Sequence, residues 1–124
     1  MAARILIIED NPASMELMAY LLNAFGHTPL TAFDGIDGVR LAREQRPDLI
    51  LCDVHLPKLD GYGVVTALKA DPQLCKIPVL VVTALAMVGD RERLIEAGFD
   101  GYLCKPIEPE QFVAQLAAFL PAAG

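Results

Sequence analysis

Positive charge is what this chain is short of. Its 124 residues carry 10 Lys and Arg against 16 Asp and Glu, a formal net charge of −6. A nucleic-acid backbone or an anionic membrane surface calls for a positive field on the protein that binds it, so neither is expected as a partner. Long apolar runs are missing as well. The opening Ile5-Leu6-Ile7-Ile8 is cut off after four strongly apolar residues by Glu9-Asp10. That is too short for a signal peptide or a membrane span, and a cytoplasmic protein is expected. Cysteine is sparse. Three residues, an odd number with no C-x-x-C spacing, fit reduced thiols better than a disulfide frame or a zinc site. Cys52 and Cys104 each precede or close a charged strand end and are expected in the core. With a third strand between theirs they lie about 10 Å apart, too far to bridge. Cys75 falls in a polar loop.

Several motifs that would define an enzyme are absent. No G-x-x-x-x-G-K-[ST] occurs, so there is no Walker A phosphate loop. No G-x-G-x-x-G follows a strand, and Gly61-Tyr62-Gly63 matches only its first three positions, so a dinucleotide is not expected. No Ser or Cys stands in a nucleophile-elbow setting. Internal repeats, low-complexity tracts and linkers are also missing. The length suits one domain, 1–124, able to bury most of its apolar surface without disulfides or a structural metal.

What is present is a regular alternation of strands and helices. At its centre is Asp48-Leu49-Ile50-Leu51-Cys52-Asp53, four apolar residues closed by a carboxylate, which reads as a strand covered on both faces. Before it come a strand from Arg4 to Ile8, a helix from Pro12 to about Phe25, a strand from Thr28 to Phe33 and a helix from about Ile36 to Gln45. Asn11-Pro12 supplies a cap and an N-terminal proline to the first helix, and Gly26 a stop. After the central strand come a Pro- and Gly-bearing loop and a helix from about Tyr62 to Ala70. A strand Pro78–Thr83 follows, then a helix Met87–Ala97, a short strand Gly101–Cys104 and a last helix opened by Glu108-Pro109-Glu110 and running to Leu120. Five such alternations with short connections predict a doubly wound α/β fold, a parallel sheet with right-handed crossovers and helices on both faces.

Four of these strands end in polar groups at one edge: Glu9-Asp10, Asp53, Thr83 and Lys105. Ligands of open α/β sheets bind at that carboxyl edge. Two carboxylates about 5 Å apart repel by roughly 3 kcal/mol at an effective dielectric of 20, so a cluster of three must take up protons or a cation. An all-oxygen site with few protein ligands suits Mg²⁺, and the opposing Lys and hydroxyl suit a phosphoryl group, with a carboxylate as its acceptor.

Glu9-Asp10, Asp53 in Leu51-Cys52-Asp53-Val54-His55-Leu56-Pro57, Gly61, Thr83-Ala84 and Lys105-Pro106 together resemble the receiver domain of a two-component response regulator, over essentially the whole chain. The resemblance implies a flavodoxin-like sheet in the order 2-1-3-4-5. It implies Asp53 as the phosphoacceptor, fed by a phosphohistidine on a sensor histidine kinase or a histidine phosphotransfer protein. Glu9 and Asp10 would be the acidic pair for Mg²⁺, Asp10 directly and Glu9 through water, with Asp53 and the main-chain carbonyl of His55 as further ligands. Lys105 would neutralise the phosphoryl oxygens and Thr83 would hydrogen-bond one of them. Tyr102 would be the aromatic switch, and Lys105-Pro106 a cis bond. The His55 side chain, two residues past the acceptor, would tune how long the phosphate survives.

No DNA-binding or catalytic domain follows, so a stand-alone receiver read by a downstream target protein is expected, and the initial Met1 favours this over a receiver cut from a hybrid histidine kinase. An aspartyl-phosphate phosphatase or phosphotransferase acting on small phosphoesters is the rival. It would place a second Asp two residues after the acceptor, where His55 stands. The first and last helices are apolar over more than one face, and mean hydropathy is high at +0.41. Both suggest an exposed patch for a partner or a second copy, a possible homodimer.

Overall fold

The computed structural model describes residues 2–84 and 90–120. Its strands are β1 (Arg4–Ile8), β2 (Thr28–Ala32), β3 (Leu49–Asp53), β4 (Val79–Thr83) and β5 (Gly101–Cys104). All pair in parallel, as the strand–helix alternation predicts, in the order β2-β1-β3-β4-β5 that the resemblance implies. Its helices are α1 (Pro12–Ala24), α2 (Gly35–Gln45), α3 (Gly61–Ala70), α4 (Asp90–Ala97) and α5 (Pro109–Ala117). The expected start of the fourth helix at Met87 lies outside the described residues.

Each strand alternates its apolar side chains between two cores, because helices cover both faces of the sheet. Ile5, Ile7, Leu49, Leu51, Leu80 and Val82 meet α1 and α5 on one side. Leu6, Ile8, Ile50, Cys52, Val79 and Val81 meet α2, α3 and α4 on the other. Every residue of β3 and β4 is buried. Each fully buried Ile, Leu or Val contributes about 1.5–3 kcal/mol relative to an exposed one. Three helices start at the carboxyl edge of the sheet with side-chain caps: Asn11 accepts from Ser14 N, Asp34 from Asp37 N and Asp60 from Gly63 N.

Two expectations are corrected. Cys104 is exposed, not in the core. It ends β5, the outermost strand, where no neighbour continues the sheet. The last helix stops at Ala117, short of Leu120, and its apolar surplus is absorbed: Phe112 and Leu116 are buried, and Val113, Phe119 and Leu120 pack against the same core. The first helix does keep a surplus, with Tyr20 69% and Phe25 59% exposed.

One buried polar group lies far from the carboxyl edge. The His27 imidazole is buried, and its Nδ1 accepts the main-chain N–H of Ala3 at 3.1 Å where β1 begins. An accepting Nδ1 carries no proton, so the folded state holds the neutral ring, and burial lowers its pKa from the usual 6.5. The unfolded chain therefore binds a proton more readily than the folded one. This increment of stability is complete above the unfolded pKa and is lost as pH falls through the folded one. The urea midpoint of the wild type is expected to drop between pH 7.5 and 5.5 by more than that of His27→Asn, whose amide Oδ1 stands at the place of Nδ1 and accepts without titrating. Equal drops in the two proteins would remove His27 as a cause.

Candidate functional site

Parallel strands in register bring the ends of β1, β3, β4 and β5 to one rim, and the chain leaves each strand there through a short loop. Asp53 is the last residue of β3 and is buried. Glu9 and Asp10 directly follow β1. Glu9 is 1% exposed and its main-chain N–H is tied to Ala32 O at 3.0 Å, which aims its side chain inward, while Asp10 is exposed. One carboxylate oxygen from each of Glu9, Asp10 and Asp53 lies within 4.8 Å of the others.

Lys105 follows β5, and its main-chain N–H donates to Thr83 O at 2.9 Å, so the end of β4 sets where the lysine begins. Its Nζ donates to Asp53 Oδ2 at 2.9 Å and stands 2.7 Å from Glu9 Oε1. One ammonium thus bridges two strand ends. The Lys105-Pro106 bond is cis, as the resemblance implies. Thr83 is buried at the end of β4, and the His55 main-chain N–H donates to Asp53 Oδ1 at 3.1 Å. The His55 side chain is exposed at the rim. Tyr102 is half-buried on β5, where the guanidinium of Arg91 sits 4.8 Å from its ring centroid.

Burial pushes the Glu9 carboxyl above its usual range; Lys105 and the main chain at Asn11 pull it back, and Asp53 adds to the rise. For Lys105, burial alone would lower the pKa, but its close contacts with the Glu9 and Asp53 carboxylates and their negative charges outweigh it and raise the value. The ammonium stays charged and neutralises part of the acid cluster. It does not complete the job, because Glu9 Oε1 is buried without a directed hydrogen bond despite the short contact. Three carboxylates with one such oxygen are a donor set that fits a hard divalent cation.

The site residues expected from sequence, Glu9, Asp10, Asp53, Thr83 and Lys105, lie at this one rim, with His55 and Tyr102 beside it. Arg91 was not singled out by sequence. It is eleven residues from the ring it stacks on, and no short-range pattern marks such a pair.

A five-stranded parallel sheet in this order, with an acid cluster and a lysine at its carboxyl rim, defines a class: residues 5–117 match the response regulator receiver domain, and the chain belongs to that family of two-component signalling proteins. Among its relatives is the polar-differentiation response regulator DivK of Brucella anthropi, 41% identical over 97% of this chain and 98% of that protein. The fold is shared with the chemotaxis response regulator CheY4 of Vibrio cholerae at a TM-score of 0.91 and 27% identity, over 97% and 100% of the two chains. The receiver domain of a sensor histidine kinase from Pseudomonas aeruginosa, whose structure holds a magnesium ion in its active-site cleft, has a TM-score of 0.88 and 35% identity over 96% and 98% of the chains. Nothing in these likenesses favours a phosphatase acting on small phosphoesters.

Proposed function

We propose that Asp53 is the phosphoacceptor of this receiver domain. The observation that carries the reading is the single ammonium of Lys105 joining Asp53 and Glu9 inside a cluster of three carboxylates. An Asp53 oxygen attacks the phosphorus of a phosphohistidine on a sensor histidine kinase or a histidine phosphotransfer protein. The O–P bond forms as the P–N bond breaks, and the electron pair leaves with the imidazole nitrogen, which takes a proton. Lys105 then faces the phosphoryl oxygens in place of the carboxylate, and the Thr83 hydroxyl donates to one of them. Mg²⁺ would be held by Asp10, Asp53 and the His55 carbonyl, with Glu9 acting through water, and when bound supplies neutralising charge for the incoming phosphoryl oxygens. Tyr102 is the aromatic that reports the change to the surface. Among the described residues the only transformations this constellation supports are the protein's own phosphorylation and its hydrolytic reversal, whose rate the exposed His55 side chain tunes.

The exposed Tyr20 and Phe25 at α1 support docking of the phosphodonor on that helix, and a downstream target or a second copy would read the phosphorylated form. Among the described residues no helix is long and apolar enough to cross a membrane. We read 1–124 as a single cytoplasmic receiver. Incubation with acetyl phosphate and Mg²⁺ is expected to add the mass of one phosphoryl group to the intact protein, and chelation of the metal to prevent it. An unchanged mass with metal present would overturn the assignment.

A further inference from the structure

We propose that Arg91 is the brake on Tyr102, a positioning residue that holds the ring outward against α4 until Asp53 is modified. The inference rests on the reading of Tyr102 as the switch aromatic and names what sets its resting position. Arg91 lies in the first turn of α4, and its guanidinium stands 4.8 Å from the centre of the Tyr102 ring. That distance is within the range in which a cation is attracted to the face of an aromatic ring.

The ring has two seats to choose between. Tyr102 pairs with Val81 and Cys104 with Thr83, so Thr83 lies diagonally ahead of Tyr102 on the neighbouring strand. Val81 and Tyr102 pack into the core shared with α3 and α4. Because side chains alternate along a strand, Thr83 is on that same face. Diagonal neighbours of this kind are within reach of an aromatic side chain. Leaning along the strand brings the ring toward Thr83 and the rim; leaning across it brings the ring under Arg91, where it is found. The second seat has an electrostatic partner in the Arg91 guanidinium. Loss of that partner lowers the cost of the inward seat.

A solvent-exposed cation over a half-buried ring is worth little in absolute terms, which suits a brake that phosphorylation must release. Removing it is expected to raise the ratio of inward to outward ring by about two- to fivefold. The test uses full-length protein with labelled tyrosine rings, the Tyr102 signal being assigned by its loss in Tyr102→Phe. Wild type is recorded without and with acetyl phosphate and Mg²⁺, with intact mass taken in parallel. Arg91→Gln without phosphodonor is expected to move the Tyr102 signal part of the way toward its phosphorylated position, and Arg91→Lys, which keeps the cation, to move it less. A purely local effect of the lost guanidinium would shift the Tyr102 signal equally with and without phosphodonor, whereas a lost brake shifts it in the unmodified protein only, along the line toward the phosphorylated position. If phosphorylation shifts the wild-type signal and Arg91→Gln does not, the brake is refuted and the switch stands. If the wild-type signal stays put while the mass gain is complete, the switch reading itself fails and takes the brake with it.

Discussion

Asp53→Asn is expected to gain no mass from acetyl phosphate and Mg²⁺, whereas Lys105→Ala is expected to gain it about 10²–10³-fold more slowly than wild type, the usual cost of removing one preorganised group that meets developing charge. The two variants separate acceptor from stabiliser. Asn at 53 keeps the shape of the rim but has no anionic oxygen to attack phosphorus. Ala at 105 keeps the acceptor and removes the ammonium 2.9 Å from it. The second change also reaches the fold. Glu9 is 1% exposed and Lys105 neutralises it at 2.7 Å. Breaking a buried pair by deleting one partner costs about 3–5 kcal/mol, and the lower end applies here because Lys105 keeps some solvent contact. Urea unfolding at neutral pH should therefore show a large loss for Lys105→Ala. Added Mg²⁺ should recover more of that loss in the variant than it adds to wild type, since the cation then stands in for the missing ammonium. Phosphorylation of Asp53→Asn, or a Lys105→Ala midpoint equal to that of wild type, would contradict the assignment of these two roles.

The strands and the rim were legible in the chain because both follow from local pattern. The four-residue apolar run before Asp53 has no polar face, which only a doubly covered strand tolerates, and β3 is buried at every position. A charged or hydroxylic residue at the end of four of the five strands then needs only parallel topology to converge. The signals that failed are those where tertiary cover overrides pattern. Cys104 follows an apolar residue and precedes a lysine much as Cys52 precedes an aspartate, yet one closes an edge strand and is exposed while the other lies in an inner strand and is buried. The apolar surplus of α5 reads the same as that of α1, but only α1 keeps it on the surface. Contacts between distant residues are legible only where strand ends converge, as for the lysine shared by Glu9 and Asp53. The hydrogen bond from Ala3 to His27 and the Arg91–Tyr102 stack are set by how elements pack and leave no local pattern.

The approach of α3 to the acceptor gives the other large effect. A Cβ on Gly61 would stand 2.5 Å from Asp53 O and 2.8 Å from Val54 Cα, both main-chain atoms. Gly61 also donates its own N–H to Val54 O at 2.8 Å, so the helix cannot slide away without losing that bond. Gly61→Ala must therefore push the Asp53–Val54 peptide. Overpacking of this kind costs about 1–3 kcal/mol, and a displacement of the acceptor by about 1 Å is enough to slow transfer on the order of 10²-fold. Gly26→Ala is the matched control. Gly26 has φ +86° and nothing within 4 Å of its would-be Cβ, so the substitution meets backbone strain without a clash. It is expected to cost about 1–2 kcal/mol through the left-handed conformation alone and to leave the phosphorylation rate by acetyl phosphate at the wild-type value. Similar stability losses with a rate defect confined to Gly61→Ala would tie the start of α3 to the placement of Asp53. Equal rates in the two variants would show that the rim accommodates the added methyl group without moving its acceptor.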